Sequence, residues 1–90
     1  KLNPVSNLAW STSADAKRLL AQSEEAIKDY DYAIRLNPKD DFARAGRGAA
    51  NLDLGRYHDA VENCDQAILL NSKNDLAWSV RGDAKWRLGL

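Results

Sequence analysis

The sequence has few of the residues on which disulfides, metal sites and catalysis depend. It holds one cysteine, Cys64, and one histidine, His58, among 90 residues. A lone cysteine forms no internal disulfide, so a disulfide-stapled secreted scaffold is not expected. One cysteine and one histidine do not make a zinc site, and nucleophilic catalysis needs a nucleophile, a base and an orienting group. We therefore expect no metal, no cofactor and no catalytic residue.

An excess of charge of either sign is also absent. Lysine and arginine number 13 and aspartate and glutamate 13, so the formal net charge is zero. A balanced chain has no general attraction to nucleic acid or to an anionic membrane surface. No apolar run is long enough to cross a bilayer, and the N-terminus lacks the pattern of a signal peptide. Nucleic-acid binding and membrane insertion are not expected, and the cytoplasm is favoured as the compartment.

What the sequence does have is an internal repeat with a period of 34 residues. Residues 7–40 and 41–74 are identical at 10 of 34 positions, and residues 75–90 match 41–56 at 7 of 16. Gly55 falls on Gly89, and Leu2-Asn3-Pro4 falls on Leu36-Asn37-Pro38. Generic similarity between amphipathic helices would not keep these turn residues in register. The chain is therefore predicted to be a repeat protein.

Within each repeat the apolar residues recur at the three- and four-residue spacing of a helix. No segment alternates with a period of two, so strands are not expected. Gly55 and Gly89 mark the ends of first helices, and Pro38 ends a second helix. N-caps are predicted at Ser6 or Asn7, Asp40 or Asp41, and Asn74 or Asp75. Helices are predicted over residues 7–20, 23–36, 41–54, 57–70 and 75–88.

The turn of the first repeat leaves two interpretations open. Ala21-Gln22-Ser23 stands where the second repeat has its glycine turn. Ser23, followed by Glu24 and Glu25, is able to cap a new helix. Alternatively, residues 14–36 form one continuous helix, which would favour swapping between chains.

The repeat also predicts a domain organisation. Residues 1–6 are interpreted as the end of a truncated preceding repeat and 75–90 as the first helix of a truncated following one, with complete repeats over 7–40 and 41–74. We therefore expect a fragment of a longer array, because a repeat cannot bury its apolar face alone. Association end to end through the last helix is one consequence.

The pattern resembles the tetratricopeptide repeat, a helix–turn–helix unit of 34 residues. The resemblance rests on an aromatic early in the first helix (Trp10, Trp78) and on small residues at the helix contacts: Ala14, Gly48 and Gly82 in first helices, and Ala26, Ala33, Ala60 and Ala67, with Tyr30, in second helices. It also rests on a glycine turn followed by an aromatic (Gly55, Tyr57) and on closing prolines (Pro4, Pro38). Arg44 and Cys64 depart from it where aromatics are usual, so looser packing is expected around Ala60. The resemblance implies an all-α solenoid of antiparallel helix pairs, in a right-handed superhelix, with about five helices.

The resemblance further implies a concave groove, lined by the first helices, that binds a protein or peptide. The positions that carry over are Leu8, Ser11, Asp15, Arg18, Phe42, Leu52, Asp53, Leu76, Asp83, Trp86 and Arg87. In the alternative interpretation, Phe42 and Leu76 staple repeat to repeat and Trp86 packs on a following helix. One version of the family clamps acidic C-terminal chaperone tails with basic residues and asparagines. The matching positions are Ser11, Asp15, Gly46, Leu76 and Val80, so that mode of binding is not expected.

The predicted function is that of a protein–protein interaction module without enzymatic activity. Two alternatives stay open. In the first alternative, the chain is a regulatory or targeting domain of a larger enzyme. In the second, it is a self-assembling repeat fragment that forms end-to-end or swapped homo-oligomers.

Overall fold

Five helices form the part of the chain that the structure describes. A computed structural model describes residues 4–89, with side chains over 6–89. The helices are α1 (Pro4–Leu19), α2 (Ser23–Leu36), α3 (Asp41–Asp53), α4 (Tyr57–Leu70) and α5 (Asp75–Arg87). No strand occurs over residues 4–89. The all-α helical-repeat solenoid predicted from the sequence is confirmed.

Each helix packs against its neighbour in the chain. α1 pairs with α2 and α3 with α4, while α5 packs on both α3 and α4. Successive first helices (α1, α3 and α5) also contact one another, whereas α2 and α4 do not. Helices that touch on one side and separate on the other bend an array toward the contacting side. The described residues span 40 × 27 × 16 Å, and the first helices lie side by side.

The first helix begins earlier than the sequence predicts. α1 starts at Pro4 rather than at residue 7, because proline is well suited to the first position of a helix, where its missing N–H is not needed. Ser6 and Asn7 therefore lie inside α1, and the prediction that they cap it is wrong. Asn7 instead donates its side-chain amide to the Ala33 carbonyl at 2.9 Å and to Asp40 at 3.0 Å. Residues 1–3 of the predicted preceding repeat lie outside the described residues, as does Leu90.

The caps of α3 and α5 are built alike. Asp40 accepts a hydrogen bond from the Ala43 N–H at 3.0 Å, and Asn74 accepts one from the Ala77 N–H at 2.9 Å. Each satisfies a backbone donor that the first turn of a helix leaves without a partner. Two of the predicted caps are therefore confirmed.

The turn of the first repeat breaks the helix without a glycine. Ala21 adopts the left-handed conformation at φ 63°, as Gly55 does at φ 76°. The Ala21 N–H reaches the Arg18 carbonyl at 3.0 Å and the Gln22 N–H reaches the Lys17 carbonyl at 2.8 Å. These two bonds form the Schellman end of a helix. The continuous helix over residues 14–36 is not formed, and Ser23 is the first residue of α2 rather than its cap.

The core is made largely of alanine, arranged in two clusters. Ala14, Ala26, Tyr30, Ala33, Ala43 and Ala50 form the first, and Ala45, Ala49, Ala60, Cys64, Ala67, Ala77, Val80 and Ala84 form the second. Small side chains let helix axes approach closely, and the larger Tyr30 and Cys64 fill the remaining space. A β-carbon built on Gly46 would lie 2.5 Å from the Tyr30 ring, and one on Gly48 2.8 Å from the Cys64 sulfur. The expected looseness around Ala60 is therefore wrong: Ala60 is fully buried and Gly48 closes on Cys64.

Arg44, which departs from the aromatic pattern, makes a contact like that of the tryptophan one repeat later. The Trp78 indole N–H donates to the Ser72 carbonyl at 2.8 Å. The Arg44 guanidinium donates to the Pro38 carbonyl, 34 residues earlier in the chain than Ser72, at 3.0 Å. Both side chains thus fasten a first helix to the turn that precedes it. No helix in residues 4–89 has the length and apolarity to cross a bilayer.

Candidate functional site

Large apolar side chains are exposed at the same place on each first helix. Leu8, Phe42 and Leu76 occupy equivalent positions of α1, α3 and α5, one repeat apart. Leu8 is 65% exposed, Phe42 69% and Leu76 37%. We call these three residues the apolar ladder. A periodic row of exposed apolar residues on one face is typical of a surface that binds another molecule.

Leu8 and Phe42, the first two residues of the apolar ladder, flank a cleft between α1 and α3. This α1–α3 cleft has a volume of about 450 Å³. Its lining is Asn7, Leu8, Ser11, Thr12, Asp15, Asn37, Lys39, Asp40, Asp41 and Phe42. Four of the residues predicted for the groove, Leu8, Ser11, Asp15 and Phe42, are brought together here.

The sequence did not assign the remaining lining residues to the groove. Most of them belong to the turn between α2 and α3 or to the start of α3. Asp40 and Asp41 were interpreted only as caps, although they stand directly before Phe42. That adjacency was the available signal, since a cap residue and the exposed residue after it share one end of the helix.

A buried tyrosine organises the groove side of α1. Tyr30 of α2 is fully buried, and its hydroxyl donates to the Asp15 carboxylate and accepts from the Arg18 Nε at 3.3 Å. Burial raises the pKa of the Tyr30 hydroxyl well above its usual value, and the hydrogen bond to Asp15 raises it further. The hydroxyl therefore stays protonated and serves as a fixed donor. Hydrogen bonds with the Tyr30 hydroxyl thus fix the side chains of Asp15 and Arg18, both of which are predicted groove residues.

A second cleft lies between the C-terminal ends of α3 and α5. It has a volume of about 480 Å³, and its lining is Leu52, Asp53, Leu54, Gly55, Tyr57, Asp83 and Arg87. The Arg87 Nε donates to Asp83 at 3.1 Å, and its guanidinium lies 6.0 Å from the centre of the Tyr57 ring. Four predicted residues meet here, namely Leu52, Asp53, Asp83 and Arg87. Leu54, Gly55 and Tyr57 were not predicted, because Leu54 and Gly55 belong to the turn after α3 and Tyr57 begins α4 rather than lying on a first helix.

Three predicted residues, Arg18, Leu76 and Trp86, line neither cleft. Leu76, the third residue of the apolar ladder, is partly covered, whereas Trp86 on α5 is 78% exposed. The exposure of Phe42 argues against a role in stapling one repeat to the next. Within residues 4–89, Phe42 and Trp86 leave most of their surface available to another molecule.

The residues with reactive side chains lie away from both clefts or in the core. Cys64 is fully buried, and burial raises the pKa of its thiol to about 11. A thiol held in its protonated form is a poor nucleophile. His58 is exposed near the start of α4. Over the described residues, no group of three or more histidine, cysteine, aspartate and glutamate side chains is placed to hold a metal ion.

Two solved structures share this arrangement of helices. The second tetratricopeptide repeat domain of Spaghetti (RPAP3), solved bound to the HSP90 peptide SRMEEVD, matches with a TM-score of 0.89 and 27% sequence identity, over 93% of this chain and 78% of that one. The second such domain of human RPAP3, in complex with the HSP70 peptide SGPTIEEVD, matches with a TM-score of 0.85 and 29% identity, over 92% of this chain and 69% of that one. Among curated proteins, no relative matches the sequence.

The family model of the tetratricopeptide repeat matches residues 9–40 and again residues 43–74. The two matches together cover well over half of the chain, and each falls on one helix pair, α1–α2 or α3–α4. This chain therefore belongs to the tetratricopeptide repeat family of protein-interaction modules.

Proposed function

We propose that this chain binds a peptide segment of a partner protein along the concave face of α1, α3 and α5, and that it does so without catalysis. The observation that carries the proposal is the apolar ladder. Leu8, Phe42 and Leu76 repeat with the period of the helix pairs and lie exposed on the contacting first helices. A peptide bound along the first helices would contact one of these three residues in each repeat.

The peptide complexes of the two structural neighbours support this use of the fold. The chemistry of the groove differs, however, from that of a site for acidic tails. At the positions where basic residues would clamp a carboxylate, Ser11 bonds to the Leu8 carbonyl and Asp15 holds the Tyr30 hydroxyl. Gly46 and Val80 are buried. An acidic peptide would find no cation at these positions, so we propose a partner of different chemistry.

Nucleic acid is not proposed as a partner, because the chain has no overall excess of positive charge to release counterions from phosphates. The proposal accommodates both a free-standing scaffold and a targeting domain of a larger enzyme, since the same groove would serve in either. The expectation of swapping between chains depended on one continuous helix over residues 14–36. Because α1 and α2 are separate helices, that expectation has no structural basis.

Selection from a random-peptide phage library tests the proposal. The immobilised chain is expected to enrich related peptides, and Phe42→Ala is expected to weaken their binding by about tenfold or more, because exposed aromatics at such sites contribute about 1–3 kcal/mol each. Phe42→Ala combined with Trp86→Ala is expected to weaken it further. The exposed positions of these side chains mean that neither change disturbs the core.

Leu69→Ala is the matched control. Leu69 is 88% exposed on α4 and lines neither the α1–α3 cleft nor the second cleft, so its removal deletes a similar apolar surface from outside both clefts. Binding should survive this change. A library that yields no enriched peptide, or selected peptides that tolerate Phe42→Ala and lose affinity with Leu69→Ala, would contradict the proposal.

A further inference from the structure

The α1–α3 cleft combines an apolar flank with a negatively charged lining. Leu8 and Phe42 are both about two-thirds exposed at its edge. Asp15, Asp40 and Asp41 line it together with one cation, Lys39, which leaves a formal charge of −2. The N-terminus of α3 adds a partial positive charge of roughly half a unit, which is too small to cancel that excess.

The hydrogen bonds to these carboxylates come from neutral groups. Asp15 accepts from the Tyr30 hydroxyl, and Asp40 accepts from the Asn7 amide at 3.0 Å. The Asn71 and Asn74 amides donate to Asp41 at 3.1 and 2.8 Å. Over residues 6–89, none of the three carboxylates forms an ion pair. The charges of Asp40 and Asp41 are therefore held in place but not neutralised, whereas the Arg18 guanidinium lies near Asp15 because both bond to the Tyr30 hydroxyl.

An apolar flank beside fixed negative charge matches one class of side chain. Arginine and lysine carry a cation at the end of an aliphatic stem, so the stem can lie on apolar groups while the head reaches a carboxylate. A guanidinium also gains from the face of an aromatic ring such as that of Phe42. Because the carboxylates are already ordered, little conformational entropy is lost when a cation binds them.

We propose that the α1–α3 cleft selects an arginine or lysine side chain of the bound peptide, so that the partner is a basic, partly apolar segment. This inference rests on the proposed function and adds the chemistry of its ligand. Leu8 and Phe42 contact the aliphatic stem, and Asp15 receives the cationic head with Asp40 and Asp41 nearby. The selectivity is opposite in sign to that for the acidic peptides bound by the structural neighbours.

Three fluorescent peptides of equal length test this selectivity: Gly-Leu-Arg-Leu-Arg-Leu-Gly, the same peptide with citrulline in place of arginine, and the same with glutamate. Citrulline keeps the shape of arginine and removes its charge. By fluorescence anisotropy at low salt, the arginine peptide should bind about tenfold tighter than the citrulline peptide, and the glutamate peptide weakest. The advantage of arginine should shrink as salt is added, because exposed charges are screened.

Asp15→Asn is the decisive variant, since asparagine still offers an oxygen to the Tyr30 hydroxyl. It should reduce the advantage of arginine over citrulline by about threefold or more. Asp59→Asn is the matched control, because Asp59 is exposed on α4, lies outside the α1–α3 cleft and forms no ion pair within residues 6–89. It removes the same total charge and should leave the affinities unchanged.

The possible failures are distinguishable. If the citrulline peptide binds as tightly as the arginine peptide, and Phe42→Ala weakens both, the groove stands and the charge selectivity is overturned. If the arginine peptide fails to bind, the inference is overturned, and the phage selection then decides whether peptide binding itself falls. Concentration-dependent self-association that Phe42→Ala abolishes would show that a second copy fills the cleft and would also overturn it.

Discussion

The two helix pairs α1–α2 and α3–α4, the first and second repeats, are built alike but carry different side chains at their centres. In the first, Tyr30 of α2 packs against Gly46 of the following helix α3, whereas in the second the equivalent residue Cys64 of α4 packs against Gly48 of its own partner helix α3. Lys17 and Asp29 form an ion pair at 2.9 Å in the first repeat. The equivalent residues of the second repeat, Asn51 and Asn63, form a hydrogen bond between neutral amides at 2.8 Å.

This difference extends to the groove. The Tyr30 hydroxyl reaches through the first repeat to hold Asp15 and Arg18 on the concave side. Cys64 carries no hydroxyl group that could do the same. The second repeat has Ala49 and Leu52 at the positions that correspond to Asp15 and Arg18. The core of a repeat and the chemistry of its binding face are therefore coupled, because a single buried side chain serves both.

The largest expected effect separates the two buried residues. Tyr30→Ala should destabilise the chain by about 3–5 kcal/mol, because it removes a fully buried aromatic side chain. Cys64→Ala should cost about 1 kcal/mol, since it removes only one buried sulfur atom. Urea unfolding followed by tryptophan fluorescence measures both.

Tyr30→Phe sharpens the same comparison, because it keeps the ring and removes the hydroxyl. We expect a cost of about 1 kcal/mol, together with a smaller preference for arginine peptides because Asp15 loses its fixed donor. Equal costs for Tyr30→Ala and Cys64→Ala would show that the two repeats are not packed as described.

A smaller effect is expected at the glycines. Gly46→Ala should destabilise the chain by about 1–2 kcal/mol, because overpacking against the Tyr30 ring costs more than the improved helix propensity returns. Gly82 lies on α5 and a β-carbon there would meet nothing within 4 Å. Gly82→Ala should therefore stabilise the chain by about 1 kcal/mol. Thermal unfolding of the two variants checks the signs, and stabilisation by Gly46→Ala would contradict the close contact with Tyr30.

The smallest expected effect concerns the two turns. Ala21 holds a left-handed conformation that strains an L-residue, and Gly55 holds the same conformation without strain. Ala21→Gly should stabilise the chain by about 0.5–1 kcal/mol, and Gly55→Ala should destabilise it by about 1 kcal/mol. The denaturant midpoints of the two variants should move in opposite directions. Destabilisation by Ala21→Gly would favour a helical connection between α1 and α2 in solution.

The sequence predicted the parts of this fold that depend on periodicity. The repeat placed all five helices and narrowed the caps of α3 and α5 to two residues each, Asp40 or Asp41 and Asn74 or Asp75, because each signal recurs in register. It did not settle the turn at Ala21, since alanine favours helix and becomes left-handed only when the packing of α1 on α2 requires it. It also misplaced the start of α1, because Pro4 was interpreted as the end of a preceding repeat.

The site was predictable to a similar extent. The resemblance to tetratricopeptide repeats supplied the side chains predicted for the groove, including the ladder residues Leu8, Phe42 and Leu76, and helical spacing alone did not. It did not identify the turn residues that complete the clefts, such as Lys39 and Tyr57, because periodicity within a helix does not determine how the next turn folds over it. The support of Asp15 by Tyr30 was also missed, since that contact joins two helices.

An amide NMR titration of the chain with a peptide selected from the phage library would locate the binding surface residue by residue. We expect the largest chemical-shift changes on α1, α3 and α5, around Leu8, Phe42 and Leu76, with little change on the outer surfaces of α2 and α4. Changes concentrated on α2 and α4, around Tyr32 and Leu69, would place peptide binding on the opposite face and rule out binding along the first helices.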